Sequence, residues 1–154
     1  MDFNEEKVEE QQDDFVDIYS KKAIFGFSIF SFLFAGVLLI INLWAAGYKK
    51  VVSQVLLFLV FFYLIYINAI RYSGIKIDQE LIKKASTGAS LTFTQLLPML
   101  ELMGLILALN IIAGLVLTKY FFKKYFPDDD YYPKPIWRPL VIYIMLSLLS
   151  RFLM

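Results

Sequence analysis

Glu101 is the residue of this chain whose setting most calls for chemistry. It stands inside "FTQLLPMLELMGLILALN" (93–110), where its immediate neighbours are Leu and Met. An ionisable group in so apolar a run is either a protonatable site on an ion or solute path or one half of a buried pair. The residues that would serve it are Arg151, Arg71, Asn68 and Ser28, and Ser147 or Ser150 would complete its hydrogen bonding. A second polar layer is expected from Asn42, Gln54, Asn110 and Thr118. Interhelical hydrogen bonds of that kind average under ~1 kcal/mol, enough to select a packing but not to carry a mechanism.

What is absent narrows the chemistry further. The chain has no His and no Cys, which removes thiol catalysis, disulfides, His-ligated haem and the usual zinc sites. No Ser–Lys spacing places a nucleophile and a base on one helix face, so no enzyme activity and no cofactor are expected. Asp128, Asp129 and Asp130 follow one another in "FPDDDYYPKPIW". They lack the Gly-spaced ligand loop of an EF-hand and read as a hydrated turn, with no metal. A net charge of +1 gives no field for nucleic acid.

The elements that must position Glu101 follow from composition. Of the 154 residues 59% are hydrophobic, and mean hydropathy is +0.63, above the roughly 45–50% apolar usage of soluble domains. The excess is gathered in four blocks, about 23–46, 51–72, 94–118 and 136–154. Each is near the roughly 20 residues that cross a bilayer as a helix. None alternates as barrel strands do. The expectation is an all-α polytopic membrane protein, a four-transmembrane-helix antiparallel bundle (23–154) with the third helix central. Residues 1–22 form an acidic, mostly disordered tail whose Phe15, Ile18 and Tyr19 suit a short interfacial lead-in helix. The tail does not read as a signal peptide, because the start is acidic and the apolar run that follows is too long.

Small residues predict the contacts. Ser28, Ser31 and Ala35 form a smooth stripe on the first helix, and Pro98, Glu101, Gly104 and Ala108 another on the third. Such stripes mark close helix approach, which would turn Glu101 into the bundle. Asn110, Gly114 and Thr118 form a stripe on the opposite face. "GYKK" (47–50) is a tight connection between the first two helices. In the loop near 73–93, Asp78 is placed to cap a short helix that Gly88 would stop.

Four spans put both termini on one side. Lys7, Lys21, Lys22, Arg71, Lys76, Lys83, Lys84 and Arg151 then fall on the terminal face, and Lys49, Lys50, Lys119, Lys123, Lys124, Lys134 and Arg138 on the other. Eight against seven is a tie under the positive-inside rule. Cytoplasmic termini are chosen because the first helix lacks export features.

The segment "YSKKAIFGFSIFSFLFAGVLLIINL" with "GYKK" after it resembles small bacterial membrane proteins of unassigned function, which pair a Tyr-x-Lys/Arg entry with a Gly-rich first helix and an Asn-Leu exit. The resemblance covers about 30 residues. It implies a bacterial inner (plasma) membrane protein and carries over no activity. The expected role is that of a structural or accessory component, its partners being the lipid bilayer and a homo-oligomer or a larger membrane complex. The alternative is a small ion- or proton-coupled transporter or channel subunit using Glu101.

Overall fold

The first apolar block does not form one helix. In the computed structural model, which describes residues 16–88, 90–127 and 131–153, it divides at Ser31 into α1 (Lys21–Phe30) and α2 (Phe32–Ala45). Ser31 is extended, at φ −158° and ψ 109°, and its hydroxyl accepts the Phe34 amide at 3.3 Å. It thus acts as an N-cap within an apolar run.

The two halves fold back on each other. Tyr19, just before α1, is hydrogen-bonded to Asn42, near the end of α2. At the other end the Phe27 and Phe34 rings lie 5.2 Å apart across the break. α1–α2 is therefore a helical hairpin whose open end, here the basal end, holds residues 17–20 and 42–48. Its tip is Ser31.

Long helices flank it. α3 (Lys49–Tyr72) has 24 residues, and α5 (Phe93–Leu115) runs on through a π-helical stretch (Val116–Phe122) and α6 (Lys123–Tyr125) as one rod of 33 residues. Both are long and apolar enough to cross a membrane. Phe32 at the hairpin tip meets Phe62 at 5.1 Å, and Phe62 lies about 20 Å along α3 from Lys49 at 1.5 Å per residue. The hairpin therefore stops well short of the far end. Near that end lies α4 (Gln79–Ser86), capped by Asp78, whose carboxylate accepts the Glu80 amide at 3.1 Å. Gly88 after it has φ +72°, the left-handed value a helix C-terminus favours. Gln95 accepts the Thr92 amide at 3.1 Å, half of a capping box that starts α5.

The π stretch has a packing reason. Its burial pattern repeats every four residues: Ala113 and Gly114, then Leu117 and Thr118, then Phe121 and Phe122. On a 3.6-residue helix a strict spacing of four drifts about 40° per repeat. Wider winding holds these pairs on one face. The Thr118 hydroxyl donates to the Gly114 carbonyl at 2.6 Å, a back-bond of the kind that deforms helices.

The basal end is also stitched by a two-stranded parallel ladder, β1 (Asp17–Ile18) against β2 (Tyr132–Pro133), extended by the Lys134 amide donating to the Ile18 carbonyl at 2.8 Å. From there α7 (Trp137–Leu153) runs past the hairpin, its Tyr143 ring touching Phe27, Phe30 and Phe34. The core lies in the basal half, where Ile24, Leu39, Leu43, Val55, Leu117 and Phe122 are buried.

These contacts correct the expected topology. The chain is mostly helical with two long apolar helices, but residues 23–46 make a folded-back pair instead of a span. The segment before α1 and the loop after the 33-residue rod, expected on opposite faces, are hydrogen-bonded together. Residues 17–18 are a strand and not a helical lead-in, because Asn42 and Lys134 supply partners for an extended backbone. The tail through residue 15 and the run Asp128–Asp130 lie outside the described residues.

Candidate functional site

Two polar contacts hold the hairpin, and both use residues of the second expected layer, Asn42 and Asn110. At its open end Asn42 is fully buried. Its Oδ1 accepts the Tyr19 amide at 2.8 Å and its Nδ2 donates to the Tyr19 carbonyl at 2.7 Å. The primary amide thereby stands in for a neighbouring strand, meeting both backbone groups of one residue. Lys134 satisfies the next carbonyl, that of Ile18. The N-terminal segment is thus held on two sides.

Where α1 crosses the rod, Ser28 is fully buried and donates to its own helix, to the Phe25 carbonyl at 2.6 Å. It packs against Gly114: a Cβ built on Gly114 would lie 2.8 Å from the Ser28 Cβ and nearer still to its Oγ. One glycine hydrogen therefore sets how closely the helices approach. Asn110, also buried, donates to the Ile29 carbonyl at 3.2 Å. That carbonyl is one of those α1 leaves open at its C-terminus, so Asn110 caps the hairpin from outside. Thr118 completes the layer.

Glu101 lies elsewhere. It is exposed, and among the described residues it has no hydrogen bond or ion pair. It is 13 residues along α5 from Gly114, roughly 20 Å, so Ser28 does not reach it. Gly104, one turn on, has open space where a close helix was expected, with nothing within 4 Å of a built Cβ. The break at Ser31 bears on both observations: the hairpin turns back near Asn110, and its Ile29 and Phe30 share only an open cleft with Met103 and Gly104. Arg71 is exposed, and Asn68 is exposed and donates to the Leu64 carbonyl of its own helix at 2.7 Å. Gln54 is exposed on α3, away from the Asn110–Thr118 layer. The side chain of Arg151 lies outside the described residues.

The structure thus groups Ser28 with Asn110 and Thr118, sets Asn42 with Tyr19, and leaves Glu101, Arg71, Asn68 and Gln54 apart. Sequence reasoning missed Tyr19 and Ile29, since both act through backbone atoms that any residue type would supply. Ser31 carried a signal: serine is a favoured N-cap, but no acid or amide three residues on completes a box. Among the described residues no three acidic side chains gather to hold a metal ion.

The arrangement is that of a mostly helical chain with two apolar helices long enough to cross a membrane, packed on a short helical hairpin that the Asn110 amide ties to one of them. Compared with protein families, curated proteins and solved structures, the chain matches none.

Proposed function

We propose that this chain is an integral membrane protein, anchored by α3 and the Phe93–Tyr125 rod, that serves as a structural or accessory component and assembles laterally with itself or with a larger membrane complex. One observation carries the reading. The most apolar windows of these two helices, with mean hydropathy 2.2 and 2.3, are only 22% buried. A core helix of a water-soluble protein hides such a surface; here it faces outward, as lipid-facing helices do. α1–α2 then enters from one face, turns at Ser31 and returns. Broken helices of this kind are tolerated where protein buries them, as Asn110 and Gly114 do here.

The fold also bears on orientation. The basal end gathers Lys21, Lys22, Lys49, Lys50, Lys119, Lys123, Lys124, Lys134 and Arg138, and the far end Arg71, Lys76, Lys83 and Lys84. With Arg151 near the far end of α7, the tie that four spans gave becomes nine against five among the described residues. By the positive-inside rule the basal face is cytoplasmic, in a plasma membrane.

Assembly is supported by Glu101. A carboxylate on an outward face at membrane depth costs about 2.5–3.5 kcal/mol on insertion scales when near the centre, and a neighbouring protein bearing a donor relieves that cost. Cross-linking in native membranes followed by mass identification tests this: a repeated protein neighbour through α5, lost in Glu101→Gln, is expected. Recovery of the chain without any protein neighbour rejects it.

The discontinuity at Ser31 favours a second reading, a small transporter or channel subunit, since such folds place solutes at broken helices. Proton-coupled flux in liposomes that Glu101→Gln abolishes, with folding intact, decides for it.

A further inference from the structure

α1 begins against the usual electrostatics of a helix. Its N-terminus carries the positive end of the peptide dipoles, where acids are stabilising, yet its first turn holds no acid and opens with Lys21 and Lys22. Lys119 of the π stretch joins them around one cleft of about 470 Å³, a volume within the range of small-molecule sites. Phe25, Gly26 and Leu115 form its apolar floor.

Three other basal lysines sit over aromatic rings: Lys49 over Trp44 at 5.5 Å, Lys124 over Tyr120 and Tyr125 at 5.6 and 5.5 Å, and Lys134 over Tyr19 at 5.8 Å. Lys21, Lys22 and Lys119 have neither a ring nor a carboxylate among the described residues. Asp17, the described acid nearest to them in sequence, is exposed on β1.

We propose that this cleft binds an anionic phospholipid, its phosphate held by Lys21, Lys22 and Lys119 and one acyl chain laid along Phe25, Gly26 and Leu115. The inference rests on the membrane reading above. Charge complementarity chooses the headgroup, since three lysines line the cleft beside the N-terminus of α1 with no described counter-charge. The floor chooses a lipid over a free anion, because a phosphate alone would leave the apolar wall uncovered. The acidic start of the chain, "MDFNEEKVEEQQDD", matches the cations but has too little apolar surface for the floor.

Native mass spectrometry of the full chain in neutral detergent, with phosphatidylglycerol or phosphatidylcholine of the same acyl length, tests the assignment. Phosphatidylglycerol is expected to be retained about tenfold better. The Lys21→Gln/Lys22→Gln/Lys119→Gln variant is expected to lose that preference, while Lys49→Gln/Lys50→Gln keeps it. Equal retention of the two lipids by the native chain, or an undiminished preference in the triple variant, overturns the site. A preference that appears only after residues 2–14 are deleted gives the cleft to the chain's own acidic start and also overturns it. A chain that stays in water without detergent overturns the membrane reading and the site together; equal retention by detergent-bound protein overturns the site alone.

Discussion

Asn42 and Tyr19, 23 residues apart, are joined by two hydrogen bonds of 2.7 and 2.8 Å that run between a side-chain amide and both backbone groups. The pair closes the open end of the α1–α2 hairpin and fixes where the N-terminal segment lies. Without it, the extended stretch before α1 would keep its ladder with β2 and the buried Ile18 side chain.

Asn42→Leu leaves the Tyr19 amide and carbonyl without partners, at a cost on the order of 1–3 kcal/mol. The expected outcome is a lower thermal midpoint in detergent and faster tryptic cleavage after Lys21 and Lys22. Unchanged cleavage would show that the ladder with β2 and the buried Ile18 side chain hold the segment without Asn42.

Gly114→Ala places a methyl group on Ser28, an overpacking that costs about 1–3 kcal/mol. Gly104→Ala, with open space around it, should be neutral or should stabilise the helix by up to about 1 kcal/mol. Pairing Gly114→Ala with Ser28→Gly should recover part of the loss. Thermal midpoints of these three variants and of Ser28→Gly alone measure the coupling, and equal effects at Gly104 and Gly114 would deny the close crossing.

Glu101→Leu removes an outward carboxylate that has no partner among the described residues. Thermal stability of the isolated chain should hold or rise, while association with itself or a neighbour falls. Size-exclusion chromatography with light scattering, alongside thermal melts, reads both. A clear loss of stability in the isolated chain would place Glu101 in a contact within the fold.

Three of the four apolar blocks were legible because length and uninterrupted hydropathy depend only on composition. Residues 51–72, 94–118 and 136–154 correspond to α3 (Lys49–Tyr72), to the greater part of the Phe93–Tyr125 rod and to α7 (Trp137–Leu153). The first block failed at Ser31, since hydropathy is blind to a one-residue extended break flanked by Phe on both sides. The helical wheel grouped Asn110, Gly114 and Thr118 correctly on one face. It also grouped Glu101 with Gly104 and Ala108, but spacing alone does not say which face meets protein. That depended on the length of the neighbouring hairpin. Asp78 and Gly88 were readable because capping is local chemistry; the Tyr19–Asn42 pair was not, because one partner is backbone.

The folded-back hairpin, with its two ends at one face, is the claim on which the rest depends. The chain has no native cysteine, so single cysteines at the exposed positions Asp17, Lys50 and Ser73 report sidedness cleanly. Each variant is treated with a membrane-impermeant maleimide in sealed vesicles. Asp17→Cys and Lys50→Cys should label from the same side and Ser73→Cys from the other. Labelling of Asp17→Cys and Lys50→Cys from opposite sides would mean that residues 23–46 cross the bilayer, and would contradict the account.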